Sequence, residues 1–124
     1  MPAQPHRSIP RYLANWDVSV MPSFCESFGL AALESSAMRV PVVASHVGGL
    51  VETVQGGVTG LHVEPGSPGR LAEAIVTLLE DVALRERMGR AGREFVEREY
   101  EWNRVLDAWV AMFRRSLDRA CVMV

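Results

Sequence analysis

The sequence predicts an α/β fold: part of a Rossmann-like parallel sheet, followed by C-terminal helices. Short apolar runs at Asp17–Met21, Pro41–Ala44 and Gly60–Val63 read as strands, and helical segments alternate with them. Strands alternating with helices indicate a parallel sheet. Residues from Ser67 to the end carry only helical periodicity, so the strands are confined to the first half. A complete doubly wound sheet has about five or six strands, so these three correspond to half of one.

Each element has a local reason. Residues 1–7 are polar and proline-rich and read as a loose tail before a single partial domain over 8–124. Ser8-Ile9-Pro10 opens a short helix to about Trp16, with Ser8 as the expected cap. Pro22 closes the first strand, and Ser23 to Gly29 form a polar and aromatic loop. Leu30 to Met38 form a helix of small and unbranched residues suited to close packing on a sheet. The Pro41–Ala44 run is apolar throughout, as in a strand covered on both faces. Leu50 to Val54 form a helical turn, which Gln55-Gly56-Gly57 ends. Ser67-Pro68 begins a helix with Leu71, Ala74, Ile75, Leu78 and Leu79 on its apolar stripe. Asp81 caps the next helix, whose stripe is Leu84, Met88, Ala91, Phe95 and Val96. Trp102, Val105, Leu106, Trp109, Met112, Phe113 and Leu117 mark a last helix over about 101–120.

Composition excludes several functions. The chain has 124 residues, 48% of them hydrophobic and 23% charged, the values of a folded domain rather than a disordered chain. Thirteen basic against fifteen acidic residues give a net charge of −2, which argues against a nucleic-acid binder. All thirteen basic residues are arginine, so no lysine-based chemistry is available within this chain. No apolar run reaches the roughly 18 residues of a membrane span, and the first ten residues lack the apolar centre of a signal peptide. The two cysteines, Cys25 and Cys121, form no disulfide framework or zinc spacing, and a reducing cytoplasm is expected. His6, His46 and His62 are scattered and suggest no metal site. The Arg- and Glu-rich segment 84–101 reads as a solvated helical face with weak ion pairs.

The chemically informative stretch is 22–34. A strand ends, a loop carries Glu26, and a helix begins near Gly29. The N–H groups of Phe28, Gly29 and Leu30 are expected as free donors at that helix tip, a place suited to phosphate. Glu34, about a turn and a half into the helix, can accept hydrogen bonds from a vicinal diol. Diphosphate at the tip, a ribose at Glu34 and a sugar near Glu26 make one consistent picture. Spacing alone leaves open the alternative that both glutamates are merely solvated or capping.

Residues 9–103 resemble the C-terminal, donor-binding part of glycosyltransferase family 4, the "glycosyl transferases group 1" set of retaining enzymes with the GT-B fold. The matching blocks are collinear. They are Tyr12-Leu13-Ala14 with Asp17 to Ser23, the two glutamates Glu26 and Glu34 with seven residues between them, Pro41 to Ser45, Gly48-Gly49-Leu50 with Glu52, and Thr59-Gly60-Leu61 with Glu64-Pro65-Gly66. Tyr100 and Trp102 resemble the aromatic pair before the family's final helix. The resemblance implies a nucleotide sugar of UDP or GDP type as donor, no metal and no other cofactor, and transfer of a hexose or hexosamine to an unspecified acceptor. It implies that Glu26 stabilises charge beside the donor sugar. Phe28, Gly29 and Leu30 then offer amides to sugar and phosphate, Glu34 binds the ribose, and Gly48 and Gly49 shape a loop near the cleft.

The chain departs from the family pattern in two ways. Arg39 stands where the family usually has glycine, at a position expected to be left-handed. The acceptor domain and the first strands of the donor domain are missing from the match, and with them the cationic residues that neutralise the diphosphate. The strand at 17–21 is therefore expected to present an open edge. The last helix is expected to lack the other domain against which the family packs it. Self-association or a second polypeptide follows from both. The alternatives are a non-catalytic remnant that binds a partner chain, or a module held at the inner membrane face by the last helix, which mixes Trp102, Trp109, Met112 and Phe113 with Arg104, Arg114, Arg115 and Arg119.

Overall fold

A computed structural model describes residues 5–121. The elements follow in the order α1 (Ile9–Leu13), β1 (Ser19–Met21), α2 (Leu30–Ala37), β2 (Val42–Ser45), α3 (Leu50–Thr53), β3 (Gly60–Val63), α4 (Pro68–Glu80), α5 (Val82–Glu99) and α6 (Trp102–Cys121). The strands form one parallel sheet in the order β1-β2-β3, with Ser19 opposite Val42 and Val42 opposite Gly60. This is the expected half of a Rossmann-like sheet with helices after it.

The central strand explains the core. Alternate residues of a strand face opposite sides of a sheet. Val42 and Ala44 join Ala32, Leu50 and Val54 on one side, and Val43 joins Val63, Leu78 and Met88 on the other. Every residue of β2 is buried, including the polar Ser45 that follows the apolar run. β1 pairs only with β2 among the described residues, so its far edge is open, flanked by Trp16 and Leu79 in a groove of about 530 Å³.

Two arginines of the charged segment do more than coat a solvated face. The Arg85 guanidinium donates to the carbonyls of Leu78 and Leu79, both at 3.0 Å, and pairs with Asp17 at 3.3 Å. Arg93 donates to the carbonyl of Ala37 at 2.6 Å. Each satisfies carbonyls at a helix end, α4 and α2 respectively, that have no partner within their own helix. Beside this contact Gly92 packs on Ser36, while Gly89 leaves room for the carbonyl of Arg39. Arg39 has φ +62°, the left-handed conformation expected from its position.

Some local expectations fail. Ser8 does not cap α1; its hydroxyl donates back to the carbonyl of Pro5 at 2.7 Å, closing a 3-10 turn over His6–Ser8. That turn ends the expected tail early, and residues 1–4 of the tail lie outside the described residues. Ser67 likewise makes no side-chain cap, and Pro68 alone starts α4. Asp81 caps α5 as expected, accepting from the N–H of Leu84 at 2.8 Å.

α6 leaves the body after Tyr100. Its Trp102, Val105, Leu106, Trp109, Val110 and Phe113 form an apolar groove, with Trp102 71% exposed. No helix among the described residues is long and apolar enough to cross a membrane.

Candidate functional site

The site is built where parallel strands end. β1 stops at Met21, and the loop from Pro22 to Gly29 leads into α2. Gly29 is buried with φ +87°. A side chain there would meet the left-handed penalty, and its Cβ would stand 2.7 Å from Thr53 Oγ1 and 3.0 Å from Leu50 Cδ2. Glycine thus lets α3 close against the tip of α2.

The loop between β2 and α3 lies against this turn. The N–H of Gly49 donates to the carbonyl of Glu26 at 2.9 Å. A Cβ on Gly48 would run into that carbonyl, and one on Gly49 into the backbone of Phe28. Gly48 and Gly49 therefore support the Glu26 loop by main-chain contact.

The donors at the helix tip are not all free. One carboxylate oxygen of Glu26, Oε1, accepts from the N–H of Phe28 at 3.4 Å, a long hydrogen bond. This corrects the expectation of three unpaired amides: the carboxylate is near enough to take one. Among the described residues nothing accepts from the N–H of Gly29 or Leu30, as the first turn of a helix leaves them. Glu34 is half-buried and sits one turn beyond Leu30, about 6 Å along the helix. Ala32, Leu33, Ser35 and Ser36 turn inward, and Ser35 Oγ lies 3.0 Å from Ser19 Oγ of β1. That packing fixes which face of α2 carries Glu34.

Two aromatic contacts join the loop to the end of α5. Phe28 and Tyr100 meet edge to face with centroids 6.1 Å apart, and Tyr100 meets Phe95 at 5.6 Å. Burial, then Glu52, then Glu99 raise the Tyr100 pKa above its ordinary value. Sequence reading notes Tyr100 but does not connect it with the site; no local spacing reports a contact so distant in the chain.

Beside the loop, the carboxyl ends of all three strands frame a cleft of about 310 Å³, lined among others by Phe24, Ser45 and Glu64. Ligands of open α/β sheets bind on this side. His46 and His62 meet edge to face at 5.0 Å, and His62 Nε2 lies 2.7 Å from the carbonyl of Val54. Among the described residues no three His, Cys, Asp or Glu side chains gather to hold a metal ion.

An open parallel sheet with an uncapped helix tip, and two glutamates beside the carboxyl ends of its strands, defines half of a Rossmann-like α/β domain. The chain belongs to the glycosyl transferases group 1 family, whose profile matches residues 1–95. The match takes in the segment read as a tail and stops short of Tyr100 and Trp102. The chain is 42% identical to a D-inositol 3-phosphate glycosyltransferase of Paenarthrobacter aurescens over 110 residues, 86% of this chain and 27% of that protein. It superposes on sucrose-phosphate synthase of Thermosynechococcus elongatus with TM-score 0.91 and 35% identity, over 96% of this chain and 30% of that one. It superposes on the Anabaena protein Alr3699/HepE, in complex with UDP, with TM-score 0.79 and 28% identity, over 87% of this chain and 30% of that one. The chain spans about a quarter of the length of the curated relatives it matches. Its fold is part of a GT-B enzyme fold.

Proposed function

We propose that this chain supplies the donor-binding half-sheet of a retaining glycosyltransferase that moves a hexose or hexosamine from UDP or GDP to an acceptor. The observation that carries this reading is the glycine-built junction at Glu26, Phe28 and Gly29, with Glu34 one turn further on the same helix. The amides of Gly29 and Leu30 meet the diphosphate and sugar, where the helix tip favours negative charge. The Glu34 carboxylate accepts from the ribose hydroxyls. Glu26 stands beside the sugar. A sugar hydroxyl donates to the remaining lone pairs of the carboxylate while Oε1 keeps its long bond to the Phe28 N–H, so Glu26 links sugar and loop. As the nucleoside diphosphate departs, the amide dipoles meet the negative charge growing on it and the Glu26 carboxylate meets the positive charge growing on the sugar. No metal or further cofactor is assigned a role. The acceptor and the diphosphate's cationic partners belong to protein outside this chain.

The test is a nuclear magnetic resonance titration of the 124-residue chain with UDP and GDP. Shifts concentrated on the amides of Phe28, Gly29 and Leu30 are expected. Unchanged amides at millimolar nucleotide overturn the reading.

A second reading, a non-catalytic module that binds a partner chain or a membrane face, is favoured by one observation: the uncovered apolar groove of α6, with Arg104, Arg114 and Arg115 on the same helix. Binding of the chain to anionic lipid vesicles without nucleotide binding supports it.

A further inference from the structure

We propose that Tyr100 is a positioning residue for the donor loop: its ring holds Phe28 and thereby fixes the amides at the tip of α2. Tyr100 lies outside the family match, which ends at residue 95. The inference rests on the donor-site reading above, since the amides matter only if they receive a ligand.

The geometry gives Phe28 three supports. Its backbone lies on Gly49, with no room for a Cβ between them. Its N–H is held by the Glu26 carboxylate. Its ring would otherwise be loose, being 46% exposed, and Tyr100 presses against it edge to face with an interplanar angle of 74°. Tyr100 is itself fixed. It ends α5, donating its N–H to the carbonyl of Val96 at 2.8 Å. Its ring meets Phe95, which is buried, at 72°. The Arg98 guanidinium stands 5.9 Å from the centroid of Phe95. The aromatic chain thus runs from the inside of α5 outward to the loop.

Core filling alone does not explain the contact, because an exposed Phe28 ring gains little from burial there. Edge-to-face pairs carry an orientation preference beyond area, which suits a residue that must hold a loop at one angle.

The experiment uses the 124-residue chain as wild type, Tyr100→Ala, Tyr100→Leu and Tyr100→Phe, each with its thermal melt and its nuclear magnetic resonance titration by UDP. Expected in Tyr100→Ala and Tyr100→Leu are loss of the ring-current shifts of the Phe28 ring, moved or broadened amides at Phe28, Gly29 and Leu30, and UDP binding weakened by about two- to tenfold. Tyr100→Phe, which keeps the ring, restores all three. Should Tyr100→Ala fail to fold, Tyr100→Leu carries the comparison, since it retains bulk without the ring. Wild-type Phe28 shifts and UDP affinity in Tyr100→Leu overturn the proposal. If the wild type binds no UDP, the donor reading fails, while the Phe28 ring and amide shifts still decide whether Tyr100 positions the loop.

Discussion

Gly49 donates its N–H to the carbonyl of Glu26 at 2.9 Å, so the loop that carries the candidate catalytic carboxylate rests on the loop that follows the neighbouring strand. The two are parallel-paired strand ends, and only glycine lets their backbones approach this closely. Placement of Glu26 is thus a property of two strands and two glycines together.

Gly49→Ala is expected to lower stability by about 2 kcal/mol or more, because the new Cβ meets the Phe28 backbone, which cannot step aside as a side chain can. Urea denaturation measures it. Nucleotide binding should fall with it, through displacement of the amides at 28–30.

Arg39→Gly is expected to stabilise the chain slightly. Removing a left-handed non-glycine residue recovers about 1–2 kcal/mol, and the added freedom of glycine in the unfolded chain returns about 0.5–1 kcal/mol. A net gain of about 0.5 kcal/mol should raise Tm by roughly 2 °C. A lowered Tm would mean that the Arg39 side chain contributes more than its backbone costs.

Glu34→Ala should weaken nucleotide binding by about 1.5–3 kcal/mol, the range of a charge-assisted hydrogen bond. Calorimetry with UDP and a 2′,3′-dideoxy analogue separates the causes: equal affinity of the wild type for both rules out the ribose role. Glu26→Ala, in an enzyme reconstituted with the missing portions, should reduce turnover more than nucleotide affinity. The isolated chain should transfer no sugar.

Self-association is expected from the open edge of β1 and the uncovered face of α6, where Trp109 and Phe113 lie exposed with ring centroids 6.0 Å apart. Light scattering across the micromolar range should show mass rising with concentration, and Trp109→Glu with Phe113→Glu should lower it. A monodisperse wild-type monomer at high micromolar concentration contradicts the argument.

Stability should decline more steeply above pH 10 in the wild type than in Tyr100→Phe. Because the folded state raises the Tyr100 pKa above its ordinary 10.0, the folded chain holds the phenolic proton more tightly than the unfolded one. Its contribution is therefore complete below pH 10 and is lost as pH rises from there through the folded value. Parallel curves for the two proteins would remove Tyr100 from the account.

Local patterns in the chain determined the strands, the helices and the family to which they belong. The apolar run at Pro41–Ala44, the stripe ending in Leu78 and Leu79, the Asp81 cap and the left-handed Arg39 are each set by neighbours a few residues away. So is the spacing of Glu26 and Glu34. Tertiary structure decided what those elements touch. Sheet order brought Gly49 under Glu26, and helix packing laid Tyr100 on Phe28 and sent Arg85 and Arg93 to the carbonyl ends of α4 and α2. Ser8 and Ser67, cap residues by type, formed no cap: Ser8 has helical backbone angles inside the turn His6–Ser8, where a cap residue is usually extended, and Pro68 started α4 without one. The division has one physical cause. Periodicity and capping are interactions along the chain and are written in order, whereas a site made of two loops and a distant helix end exists only once burial of the β2 core has brought them together.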